Sequence, residues 1–148
     1  MLKPSARAEY AVRAMVELAH YDGSGPVPLR GLMRGEPVSR KYLEQLASAL
    51  RRAGLVRVAR GPNGGYQLAR PAERISARDI VESVNGPTSL LDCLASPSSC
   101  QRSRACAARR MWGRVNGAIL SVLEETTLAD LRQQQLARGG DYPLSYEI

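Results

Sequence analysis

Between Ser39 and Pro71 the chain changes its hydrophobic period once, and that change limits what it can fold into. In RKYLEQLASALRRAGL the apolar residues Leu43, Leu46, Ala47 and Leu50 recur along one helical face. Ser39 precedes this run in a good N-cap position, and Gly54 ends it. Immediately beyond, the period falls to that of a strand. Val56 and Val58 alternate with Arg57 and Ala59, and after GPNGG, Tyr66 and Leu68 alternate with Gln67 and Ala69. Two short alternating runs about a turn rich in glycine predict a β-hairpin, which Pro71 closes.

The flanking segments extend the pattern. In AEYAVRAMVELAH, Ala11, Ala14, Met15, Leu18 and Ala19 predict one buried helical face, and YDGSGPVP stops that helix. A short apolar piece, LRGLM, follows and is broken by Gly35 and Pro37. After the hairpin Ser76 caps ARDIVESVN, with Ile80, Val81 and Val84 inward. A loop is expected from Gly86 to about Ala105, holding the cysteines, with Cys106 at its end. The longest helical pattern covers about 107–124, with Met111, Val115, Ile119 and Val122 on one stripe, and TLADLRQQQ adds a turn or two. A short helix, a break, a basic helix and a glycine-rich hairpin in succession describe a winged helix-turn-helix. The expected fold is thus mainly α with a small β-hairpin, extended by a long C-terminal helix. The expected divisions are a winged unit over 1–86, a cysteine segment over 87–106, helices over 107–137 and a frayed, flexible tail over 138–148.

Charge indicates the partner. The 148 residues carry a net charge of +7, and the excess is local. Residues 1–87 hold 14 basic and 8 acidic side chains, whereas 88–148 hold 7 and 6. From Arg40 to Arg60 there are six basic residues against Glu44 alone. A concentrated basic segment implies a polyanionic partner, here double-stranded DNA. A helix fits the major groove with its first residues at the base edges. Ser39, Arg40, Lys41 and Tyr42 occupy that first turn, and Glu44 is placed to accept from a cytosine amine. Arg60 sits at the base of the wing turn, where an arginine can enter the minor groove, and Pro62, Asn63, Gly64 and Gly65 form its tip. Arg51 and Arg52 equally suit a solvated helix face. No stretch approaches the roughly 20 apolar residues of a membrane span. The first residues place charges inside their only apolar run, unlike a signal peptide. The expectation is a soluble, cytoplasmic protein with no membrane partner.

Cys93, Cys100 and Cys106 are separated by six and then five residues. An odd number of cysteines without an export signal argues against a disulfide framework. They lie in DCLASPSSCQRSRACAAR, a polar segment whose arginines favour the thiolate form that binds metal. Soft thiolates in a loop suit an iron–sulfur cluster or zinc, although the CxxC pairs usual for zinc are absent. A metal-free thiol switch, a regulator of the same fold responding to another small ligand, and reduced cysteines without a ligand remain open. A cysteine-dependent enzyme is disfavoured, because no acid–base pair accompanies the thiols and no nucleotide motif is present, so the chain is expected not to be an enzyme.

The ordered set AEYAVRAM, VSRKYLEQLASALRRAGLV, RGPNGGYQL and C-x6-C-x5-C, followed by a long helix containing Trp112, resembles the iron–sulfur cluster regulator family of bacterial transcription factors (IscR-like, NsrR-like and RirA-like). The resemblance covers about residues 1–135. It implies a homodimeric winged-helix repressor or dual regulator, sensing redox state, nitric oxide or iron supply. Its long helix, here 107–124, would serve dimerisation by crossing to the partner. By position Ser39, Lys41, Tyr42 and Glu44 would meet the major groove and Arg60, Pro62 and Asn63 the wing contact. Cys93, Cys100 and Cys106 would be the cluster thiolates. IscR-like members place a histidine three residues after the third cysteine, where this chain has Arg109, which cannot be a ligand; its single histidine is His20. Some relatives instead use a carboxylate from the partner subunit, which matches Glu9 here and favours a four-iron over a two-iron cluster.

Overall fold

The computed structural model describes residues 2–139. Helix α1 (Ala6–His20) begins just after Ser5, whose hydroxyl oxygen accepts the Ala8 N–H at 3.1 Å. Its expected stripe is buried throughout: Ala11, Ala14, Met15, Leu18 and Ala19. The short apolar piece forms a 3-10 turn, Leu29–Met33, burying Gly31, Leu32 and Met33. Helix α2 (Arg40–Arg52) is capped by Ser39, whose Oγ accepts the Tyr42 N–H at 3.1 Å, and it buries Leu43, Leu46, Ala47 and Leu50 as its period requires. Each such leucine removed from water contributes roughly 1.5–3 kcal/mol.

Strands β1 (Val56–Ala59) and β2 (Gly65–Leu68) pair antiparallel, with Val56 opposite Leu68 and Ala59 opposite Gly65. The sheet is wider than the sequence suggests. Val27, inside the segment expected only to break α1, exchanges two hydrogen bonds with Tyr66, at 2.9 and 2.8 Å. A single paired residue has no period, so nothing in the pattern announces it. Close backbone approach, to Val27 in one case and across the hairpin in the other, explains two glycines. A Cβ at Gly65 would collide with the Val27 carbonyl, and one at Gly64 with the Ala59 carbonyl.

Helix α3 (Ala77–Asn85) opens with a capping box in which Ser76 Oγ accepts from the Asp79 N–H at 3.0 Å and Asp79 Oδ2 from the Ser76 N–H at 2.9 Å. The segment expected to be a plain loop contains helix α4 (Asp92–Ala95) and a 3-10 turn, Pro97–Ser99. Pieces this short span about one turn and leave no periodic trace.

Helix α5 (Ala107–Glu125) follows, and then α6 (Leu128–Ala137). They behave in opposite ways. Helix α5 buries no residue: Met111 and Val122 are 47% and 64% exposed, and Val115 and Ile119 are half-buried. Helix α6, by contrast, returns to the core. The Ala77 N–H donates to the Thr126 carbonyl and the Leu128 N–H to the Ile75 carbonyl, both at 2.8 Å. Leu128 is fully buried in the cluster that holds Met15, Ile75 and Ile80. The winged helix-turn-helix core is therefore closed by α6, while α5 lies outside it. From residue 140 onward the expected tail lies outside the described residues. Among the described residues no helix is long and apolar enough to cross a membrane.

Candidate nucleic-acid interface and cysteine segment

The first turn of α2 presents Ser39, Arg40 and Lys41 to solvent, with Glu44 exposed one turn later and Tyr42 half-buried. Four of these side chains already have work within the fold. Ser39 caps the helix, Glu44 Oε1 accepts from Arg40 Nε at 3.0 Å, and Tyr42 packs edge-on to Tyr10 with ring centroids 5.9 Å apart. The last contact fixes the start of α2 against α1. On the wing Arg60, Pro62 and Asn63 are exposed and Gly64 is half-buried. Lys41, Arg51, Arg52, Arg57 and Arg60 form no salt bridge with any described residue, so their charge is directed outward.

Behind this face lies a link that the sequence did not announce. Arg13 on α1 holds Glu9 at 2.7 Å and Glu36, in the turn leading to α2, at 2.8 Å. Nearby, burial pushes the Glu17 carboxyl above its ordinary range, while Arg34 at 3.9 Å pulls it back in part. The His20 imidazole is pushed down, first by burial and then by Arg132 and Arg34.

The cysteines occupy three different settings. Cys93 lies on α4 and is half-buried, Cys100 is exposed, and Cys106 is the half-buried N-cap of α5. Arg109 serves two of them: its N–H donates to Cys106 Sγ at 3.4 Å and its Nε to the Cys93 carbonyl at 3.3 Å. Asn116 of α5 accepts the Leu90 N–H at 2.9 Å, so α5 also holds the entry to the segment. Three thiols and a carboxylate are donors of the kind an iron–sulfur cluster takes. Their placement in the single subunit is not a finished cradle. Among the described residues no three His, Cys, Asp or Glu side chains gather as a metal group, and Glu9 is engaged by Arg13.

Comparison with known proteins settles the family. Residues 4–134 match Rrf2, described as iron-dependent transcriptional regulators. The chain belongs to the Rrf2 family. Among Rrf2-type relatives, it is 38% identical over 130 residues to the HTH-type transcriptional regulator CymR of Bacillus subtilis, covering 88% of this chain and 89% of the relative. It is 34% identical over 134 residues to IscR of Yersinia pseudotuberculosis, covering 90% and 81%. The solved structure of CymR, called the global cysteine regulator of B. subtilis, superposes with a TM-score of 0.76 at 39% identity, over 90% of this chain and 98% of that one. IscR of T. potens superposes with a TM-score of 0.77 at 33% identity, over 96% and 94%. The Rrf2 chain thus shares its winged-helix architecture with DNA-binding transcriptional regulators, and the resemblance carried by its motifs holds.

Proposed function

We propose that this regulator is a homodimeric repressor that reads operator DNA with the first turn of α2 and the Arg60 wing. We further propose that it responds to redox state, nitric oxide or iron through a cluster held by Cys93, Cys100 and Cys106, with Glu9 of the second subunit as fourth ligand. The observation that carries the reading is the place of the thiols: Cys106 caps α5, the helix whose apolar side chains Met111 and Val122 stay exposed in the subunit. A change at the sulfur is thereby a change at the dimer helix. When bound, such a cluster supplies an oxidisable crosslink between the cysteine segment and α5. Arg109 orients the Cys93 and Cys106 ends of that segment, and Arg13 holds Glu9 until it is drawn away. A reader of chromosomal DNA works in the cytoplasm. Two half-sites about one helical turn apart tolerate little misplacement of paired reading helices, so a small shift of α5 is enough to switch affinity.

A second reading is supported by the dispersed thiols in the described residues and by the likeness to CymR. In it the cysteines act as a metal-free thiol switch. One anaerobic purification separates the two. A brown protein with visible absorption and near-stoichiometric iron and sulfide is expected, with absorption lost faster in Glu9→Ala. A colourless, iron-free protein whose DNA affinity still responds to peroxide establishes the thiol switch instead. Equal cluster lifetimes in parent and Glu9→Ala remove Glu9 from the ligand set.

A further inference from the structure

A sugar–phosphate ridge separates the major from the minor groove of B-DNA. A protein that places a helix in one groove and a wing in the next must straddle that ridge. Between those two parts this chain has a concavity of about 710 Å³. Its lining includes Arg30 and Arg34 from the 3-10 turn region, Glu36 from the turn into α2, Arg40 from α2, and Pro62 and Gly64 from the wing. Three of these are arginines against one carboxylate, and that carboxylate is taken up by Arg13 at 2.8 Å. The lining is thus left with positive charge. Arg40 is also engaged with Glu44 at 3.0 Å, and Arg34 approaches Glu17 only at 3.9 Å. Arg30 is exposed and forms no salt bridge with any described residue.

We propose that this concavity seats the phosphodiester ridge of duplex DNA, with Arg30 and Arg34 as its phosphate contacts. The inference rests on the DNA-reading function and adds to it two residues that belong to neither the reading helix nor the wing. The chemistry suits the position. A guanidinium offers a planar fork of donors to phosphate oxygens, and its charge persists at every physiological pH. Neutralising Glu36 from behind removes the one lining group that would repel the ligand. The site also explains why helix and wing are held at a fixed separation, since Val27, which pairs with the wing at Tyr66, leads directly into the 3-10 turn that carries Arg30.

The test measures log affinity against log salt for a random-sequence duplex of about 30 base pairs, some three helical turns. The proteins compared are the parent, Arg30→Ala and Arg30→Lys, and a single strand of the same length is run in parallel. Loss of one phosphate contact per subunit lowers the slope by about 0.9 for each bound subunit in Arg30→Ala, about 1.8 for a dimer, and weakens duplex binding at least about tenfold at moderate salt, while Arg30→Lys keeps the parental slope. Single-strand binding shows no such change, because a single strand has no ridge between two grooves. Unchanged unfolding midpoints establish that the variants are folded. If the parent holds the duplex and Arg30→Ala has its slope, the seat is wrong while the DNA-reading function stands. An equal slope loss on the single strand reduces Arg30 to diffuse attraction and also overturns the seat. A parent that does not retain the duplex overturns the DNA-reading function itself.

Discussion

Arg60 and Glu17 place opposite demands on a charged group. Arg60 is exposed, makes no ion pair with a described residue and follows directly on β1 at the base of the wing. Its charge therefore contributes little to folding and is free for the DNA contact proposed above. Arg60→Ala is expected to weaken operator binding about tenfold, equivalent to ~1.4 kcal/mol, with the dimer unchanged by light scattering. Equal operator affinity for both proteins at matched salt would remove Arg60 from the interface. Glu17 is instead a carboxylate whose burial raises its pKa above the ordinary 4.5. A raised carboxyl contributes stability below the unfolded value and loses it as pH climbs through the folded one. Glu17→Gln should match the parent at about pH 4 and exceed its melting temperature at about pH 7. A variant less stable than its parent at neutral pH would mean that the Arg34 pairing outweighs burial.

Helices α5 and α6 are adjacent in the chain but differ in what covers them, and only one difference was readable from residues. The periodic stripes of α1 and α2 translated directly into buried faces, because a repeated spacing of leucine and alanine has one economical solution. Helix α6 gave little warning. Its hold on the core rests on Leu128 and on backbone pairing of residues 126–128 with residues 75–77, far away in the chain, which no local pattern encodes. Leu128→Ala should cost about 2–5 kcal/mol in urea unfolding, with an unchanged slope of the transition. A loss below ~1 kcal/mol would indicate that α6 frays from the core without consequence. The same reasoning applies to the candidate site. The placement of Ser39, Arg40 and Lys41 at the start of α2 and of Arg60 beside the wing turn was legible because a capped basic helix followed by a glycine-rich turn is a local arrangement. Arg109 and Arg13 were not, since their roles depend on a carbonyl sixteen residues away and a carboxylate twenty-three residues away.

Across the described residues, a covered core stands beside a helix with exposed apolar side chains. The exposure of Met111 and Val122 on α5 makes a second copy the natural cover, which is the dimer proposed above. Val122→Asp should raise the dimer dissociation constant at least about a hundredfold, or ~2.7 kcal/mol, as read by analytical ultracentrifugation. The core and the secondary structure should be retained. Persistence of the dimer would locate its interface elsewhere. One atom then joins chemistry to assembly. The sulfur of Cys106 receives the first-turn amide of the helix that would carry the second copy. In the dimer proposed above, an electrophile that seized this sulfur would deprive that amide of its acceptor, and an oxidant's visit to the loop would be registered as a loosened thread at the seam between two copies.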